Sequence, residues 1–326
     1  MKTKKIIYSL GLVLFCSILL MTSCKKRRAF NEEDGQASND NRSVQSENDL
    51  ATNEINTEVG NNNLLHGRSS NTSGPNAIYG ALGISAAGYS VDATNASNGS
   101  IQINYNGTTV GNRTRTGSIK LTIIDYASGK RWKDAGCVLK VEFLSYKVTR
   151  ASDGKSIELN GIQNITNESG SSWFELIFLP THPNIVTSVT GTNLNVTFDG
   201  DKTAVYNINR RFTYSYPNGI LTCTGEGIGV NNNLGNLENY GTTRDGDAFT
   251  SQVTTPIVWN WTCGWYAPVQ GAVNIKVDSK DFDLKVLFSV DASGNSVVAQ
   301  ANSCPYGYKV EWKFRNRTKN KVIGYN

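Results

Sequence analysis

The chain has 326 residues, 38 % of them hydrophobic and 18 % charged, enough for one large or two small domains with proper cores. Its 32 Lys and Arg against 27 Asp and Glu give a formal charge of +5, but the excess sits near the N-terminus, at Lys2, Lys4, Lys5 and again at Lys25, Lys26, Arg27 and Arg28. The remainder has no basic stripe, which excludes the electrostatic footprint of nucleic-acid binding.

Residues 1–23 read as a bacterial lipoprotein signal peptide. Three lysines precede an uncharged apolar run, Ile6 to Leu20, which is too short to span a bilayer comfortably. Met21-Thr22-Ser23-Cys24 follows, and the small Ser23 before Cys24 fits the narrow pocket of a lipoprotein peptidase. Cys24 is therefore expected to become the lipidated N-terminus, while Cys16 leaves with the signal; the alternative is an ordinary signal peptide cut by a different peptidase near the same point. Acyl chains contribute about 0.8 kcal/mol per buried methylene, and two or three together hold a protein on a membrane. The expected location is the bacterial cell envelope, anchored to the outer membrane and facing the periplasm or the cell surface. Lys25 to Arg28 stand where anionic headgroups would meet them, each adding on the order of 1 kcal/mol. The alternative is that they are solvated linker charges.

Residues 24–75 are rich in Asn, Ser, Glu, Asp and Gly, a composition that cannot bury enough surface to offset its chain entropy. They are expected to form a flexible, disordered, lipid-anchored tether. Residues 76–326 are expected to form an all-β domain. Asn76 to Val91 is Ala/Gly-rich and reads either as a first strand or as a loose segment.

From about Ser97 the period of the apolar residues is two. Ile101, Ile103 and Tyr105 alternate with polar residues, as do Ile119, Leu121 and Ile123. Cys137, Leu139, Val141 and Phe143 share one face. The apolar set then moves to Leu144, Tyr146 and Val148, as a β-bulge would make it. Phe174, Leu176 and Phe178 alternate with Trp173, Ile177 and Leu179, which reads as a strand buried on both faces. Leu194, Val196 and Phe198 end at the hairpin signal Asp199-Gly200. Phe212, Tyr214 and Tyr216 end at the turn Pro217-Asn218-Gly219. Val273, Ile275 and Val277 lead to Phe282, Leu284, Val286, Phe288 and Val290. Ser293-Gly294-Asn295 then turns the chain into Tyr308, Val310, Trp312 and Phe314. No segment after the signal shows a helical stripe with caps. The pattern predicts an antiparallel β-sandwich or stacked sheets, in one domain or in two packed halves, 97–190 and 191–326.

Four cysteines remain after Cys16 and Cys24. An exported chain matures under oxidising conditions, so an even count invites pairing. Cys263 and Cys304 lie in similar loop contexts, Thr-Cys-Gly-Trp and Ser-Cys-Pro-Tyr, and are expected to be bridged. Cys137 and Cys223 occupy apolar-facing strand positions, where they are free or paired with each other. No C-x-x-C spacing occurs, and His66 and His182 are the sole histidines, so no zinc site is expected.

Three phrases carry a resemblance: Gly111-Asn112-Arg113-Thr114-Arg115-Thr116-Gly117-Ser118-Ile119, Asp245-Gly246-Asp247-Ala248-Phe249-Thr250 leading to Thr255-Pro256-Ile257-Val258, and Val269-Gln270-Gly271-Ala272-Val273-Asn274-Ile275. They resemble an uncharacterised group of β-rich Bacteroidota lipoproteins. The resemblance covers most of the chain from about residue 97 and implies an exported lipoprotein with no established activity, so no functional residue is carried over. In one respect the chain departs from that pattern. Surface-displayed lipoproteins of that phylum place acidic residues directly after the lipidated Cys, whereas here Lys25 to Arg28 precede Glu32, Glu33 and Asp34.

The candidate ligand platform is the aromatic run Trp259, Trp261, Trp265 and Tyr266. On a strand, Trp259 and Trp261 point to one face, and two indoles side by side would stack on the C–H face of a sugar ring. Asn260 and Thr262 could then serve the hydroxyls. The competing reading is that these rings pack on the sheet edge or against the Cys263 bridge. Asp199-Gly200-Asp201 and Asp278, Asp281 and Asp283 lack a full calcium loop. His182, between Pro180 and Pro183, reads as a surface loop residue. No G-x-S-x-G, H-E-x-x-H or P-loop occurs, so no catalytic residue, metal or cofactor is expected. The sequence thus reads as a membrane-anchored envelope lipoprotein acting as a binding module for a glycan or protein. A purely structural envelope component is the alternative, and a glycan hydrolase is the least favoured reading.

Overall fold

The computed structural model describes residues 35–67, 88–264, 267–279, 283–298, 303–314 and 317–325. Residues 1–34, which hold the expected signal peptide, Cys24 and the basic residues after it, lie outside them. Two helices come first, α1 (Gln36–Asn61) and α2 (Asn63–His66). A single antiparallel sheet of 15 strands follows, so the predicted all-β, antiparallel architecture is what the strands build, joined into one continuous surface.

The sheet is almost entirely a meander, in which each strand pairs with the next in sequence. It begins with β1 (Tyr89–Asp92), β2 (Ser100–Val110), β3 (Arg113–Ile123), β4 (Cys137–Arg150) and β5 (Ser156–Asn167), and continues through β6 (Ile185–Phe198) and β7 (Lys202–Ser215). It then runs to β10 (Leu234–Thr242), β11 (Ala248–Asn260), β12 (Pro268–Val277), β13 (Asp283–Val290), β14 (Gly307–Phe314) and β15 (Arg317–Gly324). Between β7 and β11 one slot is filled by two strands in line. β10 pairs with Val205–Ile208 of β7, and β8 (Thr222–Gly227) pairs with Arg210–Ser215. The short β9 (Gly229–Asn231) pairs with β10. A division into halves at 190/191 is not observed: that point falls inside β6, and Ala37–Asn326 form one unit.

Local chemistry explains the register. Asp199 (φ 54°) and Gly200 (φ 89°) both sit in the left-handed region and close the tight β6–β7 hairpin. The β4 bulge falls where the apolar pattern shifts phase. Pairing with β5 skips between Phe143 and Tyr146, and Ser145 has φ 50°. Opposite it, a Cβ on Gly117 would lie 2.0 Å from the Ser145 carbonyl oxygen, so only glycine fits. Phe143, Tyr146 and Val148 point inward, while Leu144 is exposed. The stretch expected as a doubly buried strand is instead the short helix α3 (Trp173–Phe178). Glu175 accepts hydrogen bonds from the Ser172 backbone N–H (2.7 Å) and hydroxyl (3.0 Å), so a capping pair overrides the alternation. Trp173 and Leu176 are buried, with Trp173 edge-on to Tyr214, and Phe178 is exposed.

The larger departure from expectation is α1, which lies within the stretch read as flexible tether. From Gln36 to Asn61 the chain is a 26-residue helix, and Ala51 to Gly60 are buried without interruption. Ten residues make nearly three turns, so no side of this stretch faces water. Its side chains reach β1, β2, β3, β5, β7, β10, β11 and β14, which places the sheet around it. The inward residues of the strands (Ile103, Leu121, Val141, Leu159, Val196 and their neighbours) supply the apolar lining. The outward residues include the polar Lys140, Glu142, Asn164 and Arg211 and the exposed apolar Leu144 and Ile162. No helix among the described residues is long and apolar enough to cross a membrane.

The helix is a core element, which gives a direct test. Ile55 is fully buried and Leu64 is 51 % exposed. Ile55→Ala is expected to cost about 2–5 kcal/mol in denaturant unfolding, and Leu64→Ala less than about 0.5 kcal/mol. Equal, negligible effects would return α1 to the status of a tether.

Candidate functional site

Two regions combine chemistry with position: the interior around α1, and the corner held by the disulfide.

The interior is ionic. Four acids of α1 each meet an arginine of the wall. Asp40 takes two hydrogen bonds of 2.7 Å from Arg244, in the β10–β11 turn, and Arg244 also reaches Asp199 at 3.1 Å. Glu47 pairs with Arg113 at 2.9 Å and Glu54 with Arg115 at 2.5 Å, both from β3. Asp49 pairs with the buried Arg210 of β7. A fifth acid, Glu58, accepts from Tyr89 Oη at 2.8 Å. Neutral contacts complete the fit. Tyr105 donates to Glu54 at 2.8 Å, Asn48 donates to Gln163 at 2.9 Å, and Tyr214 donates to Asn53 at 3.3 Å. The Asn41 amide donates to Ser251 Oγ at 3.1 Å and accepts from Asn239 at 3.0 Å, while Ser251 donates to the buried Glu238 at 2.6 Å. The one cation of the helix, Arg42, lies 3.6 Å over the ring of Tyr308 and 5.5 Å from that of Tyr325.

Desolvation governs the titration of these groups. Burial pushes the Asp49 carboxyl up to about 6, against the pull of Arg210. About 24 % of that side chain stays accessible, so solvent relaxes part of the shift. Burial raises Glu54 as well, despite Arg115 and Tyr105. The two described cysteines outside the disulfide, Cys137 and Cys223, are buried on β4 and β8 and are not bonded to each other. Burial raises both thiols, Cys137 to about 11, so neither is an activated nucleophile. Among the described residues no group of His, Cys, Asp and Glu is arranged to hold a metal ion. Asp199 is engaged with Arg244 and the Ser156 backbone N–H, and Asp281 lies outside the described residues. His182 is half-buried, its Nδ1 2.8 Å from the Leu176 carbonyl oxygen and its ring beside Tyr216.

The corner holds the aromatic run. Cys263 and Cys304 are bridged, with Cα atoms 5.4 Å apart. Trp259 is only 7 % exposed and packs on Phe212, and a Cβ on Gly225 would lie 2.8 Å from its ring. The expected two-indole platform is therefore corrected. The strand ends at Asn260, whose side chain accepts from the Thr262 N–H to start a 3₁₀ turn, so the two-residue alternation stops before Trp261. Trp261 is half-buried in that turn, and Trp265 and Tyr266 lie outside the described residues. Beside the bridge is a shallow notch lined by Thr262, Ala267, Pro305, Tyr306 and Tyr325. Tyr306 is 54 % exposed, and Tyr325 is fixed by donating to the Pro268 carbonyl at 2.8 Å. Tyr306 continues the two-residue alternation of Tyr308, Val310 and Trp312 backwards yet lies exposed, and Tyr325 belongs to no motif. In comparisons with known proteins the chain matches no family model, no curated protein and no solved structure.

The Asp49–Arg210 pair sets a stability test. Removing one partner strands the other, so Asp49→Leu and Arg210→Met are each expected to cost about 3–5 kcal/mol, while the double change is neutral or stabilising by about 1–4 kcal/mol. The folded-state pKa of Asp49 lies above its ordinary value, so the fold takes up protons, and the stability this contributes is full in acid and lost as pH rises through about 6. The fall in melting temperature between pH 5 and pH 7 is thus expected to be shallower in the double variant. A parallel profile would place the titration elsewhere.

Proposed function

We propose that this protein is a lipid-anchored module of the bacterial cell envelope that binds its ligand on the outside of the sheet, at the disulfide corner. The observation that carries this reading is that the interior is already occupied by the chain's own helix, ion pair by ion pair. Recognition of anything else in this state falls to the outer surface. There the notch combines an exposed Tyr306 ring, the fixed Tyr325 and the Thr262 hydroxyl, next to Trp261. Rings with apolar faces beside a few polar groups suit a carbohydrate ring, and the bridge holds the two loops in place at no cost on binding. Cys24 would supply the anchor.

The burial of Trp259 favours a second reading, a purely structural envelope component in which the aromatic run is packing. The two separate on one experiment. Tyr306→Ala combined with Trp261→Ala is expected to abolish retention on insoluble envelope polysaccharide while changing the melting temperature by no more than a few degrees. Loss of stability together with unchanged retention supports the structural reading. The anchor is tested independently: Cys24→Ser is expected to move the protein from the detergent phase to the aqueous phase, or to leave it as uncleaved precursor. A processed variant that still partitions into detergent would defeat the lipoprotein assignment.

A further inference from the structure

One expectation from the sequence, that no basic stripe lies outside the N-terminal end, is corrected at the closing hairpin. Residues 303–325 hold Lys309, Lys313, Arg315, Arg317, Lys319 and Lys321 against one acid, Glu311. All but Arg315 fall on β14 or β15. The register Tyr308↔Ile323, Val310↔Lys321 and Trp312↔Lys319 puts each of these pairs on one face of the hairpin. It is the face turned towards α1, since Arg42 stacks on Tyr308 and Tyr325. The two strands meet different surroundings there. Tyr308, Val310 and Trp312 are buried, whereas Lys319 and Lys321 are exposed and Ile323 and Tyr325 are half-buried. The cover over this face therefore ends between β14 and β15. Among the described residues β15 pairs with β14 alone, so it forms a ledge open to solvent. Glu311 is engaged by Lys309 at 2.9 Å on the opposite face.

The ledge runs into the notch at the disulfide corner. Tyr325 follows β15 and lines the notch, and Tyr306 rests against the same strand end, where a Cβ on Gly324 would lie 3.2 Å from its ring. At about 3.4 Å per residue, Lys321 and Lys319 stand about 14 Å and about 20 Å along the strand from Tyr325. We propose that the carbohydrate bound at this corner is an anionic polysaccharide, bearing carboxylate or phosphate groups, whose chain runs on from the notch along β15. This deepens the carbohydrate reading of the corner and rests on it. Charge favours an anion: two solvated ammonium groups in line meet acidic groups without the desolvation cost of a buried pair. Length favours a polymer, because the ledge is longer than one sugar ring. The placement of the rings favours carbohydrate over nucleic acid. Successive bases stack on aromatic side chains spaced along a basic groove, whereas here both tyrosines gather at one end and the exposed cations follow beyond them.

Retention of the full-length protein, held in nonionic detergent, tests this on three materials. They are insoluble polysaccharide from the bacterial envelope, the same material with its carboxyl groups reduced to alcohols, and the same material with its phosphate removed by hydrofluoric acid. Retention is expected to fall about tenfold or more on one of the two neutralised polymers, which identifies the anion. Lys319→Gln with Lys321→Gln is expected to lose as much on the untreated polymer, with a melting temperature within a few degrees of the unaltered protein. Raising salt from about 0.1 M to about 1 M shortens the screening length from about 10 Å to about 3 Å, and is expected to weaken the unaltered protein more than this variant. Equal retention on all three polymers, or full retention of the lysine variant, would overturn the proposal. Lysines also keep sheet edges from pairing with one another. A lysine variant that self-associates in sedimentation while its retention stays full would assign them that role instead. Loss of single-stranded DNA binding by the variant, with its polysaccharide retention unchanged, would assign the strip to nucleic acid and again overturn the proposal. The corner reading fails separately. Full retention of Tyr306→Ala with Trp261→Ala defeats the carbohydrate site whatever the lysines do. Loss in that variant, with equal retention of the unaltered protein on all three polymers, keeps the corner as a site for a neutral glycan and defeats the anionic one. No retention of the unaltered protein on any of them defeats both.

Discussion

A charged helix inside a sheet is permitted only if each charge meets its opposite, and that requirement organises this molecule. Transferring a carboxylate from water into a protein interior costs several kcal/mol, and a single partner repays it only with good geometry and further hydrogen bonds. Here Glu54 has both Arg115 and Tyr105, Asp40 has a two-pronged contact with Arg244, and Arg244 is itself steadied by Asp199. The arginines come from β3, β7 and the β10–β11 turn, so helix and sheet can be satisfied only together. Neither is a finished structure alone: the helix is polar on most sides, and the wall without it would hold unpaired guanidinium groups. Val44, Ala51, Ile55 and Val59 form a narrow apolar stripe that adds burial energy, while the ion pairs decide which way the helix faces.

That division separates inside from outside. The inner face of the sheet is committed to α1, and its outer face carries polar side chains together with the exposed Leu144 and Ile162. At one corner the disulfide joins the turn after β11 to the loop before β14, with the exposed Tyr306 and the half-buried Tyr325 beside it. The two regions touch through Arg42, which stacks on Tyr308 and Tyr325 from within. Occupancy of the interior and the shape of the notch are thereby connected by one side chain.

Much of the sheet was legible in the sequence because its signals are local. Alternation at Ile101, Ile103 and Tyr105 marks a strand whichever strand it pairs with, and Asp199-Gly200 adopts its turn from its own backbone preferences. The phase change near Leu144 is the bulge, visible because a bulge moves every later side chain to the other face. The pairing of Cys263 with Cys304 was legible from their loop contexts. The helix α1 was not. Helices are recognised by an apolar stripe against a watery face, and a helix enclosed on every side, with its acids and amides answered by wall residues, lacks that contrast. Its Asn, Ser and Glu content imitates a linker. In α3 the strand-like alternation of Trp173 to Phe178 hid the Ser172–Glu175 capping pair, which was the better guide. Trp259 and Trp261 share a face only while the strand continues, and Asn260 ends it.

By itself the sequence determined the antiparallel β architecture, most turn positions, the cysteine bridge and the expectation of a lipid anchor at Cys24. Each of these rests on interactions among neighbours in the chain or on a short motif. Only the tertiary structure decided that the strands form one sheet, that the sheet surrounds a helix, and that Asp49 finds Arg210 and Asp40 finds Arg244. Those contacts join residues more than 150 positions apart. No local pattern encodes them, because a carboxylate facing a buried arginine reads in sequence like any solvated acid.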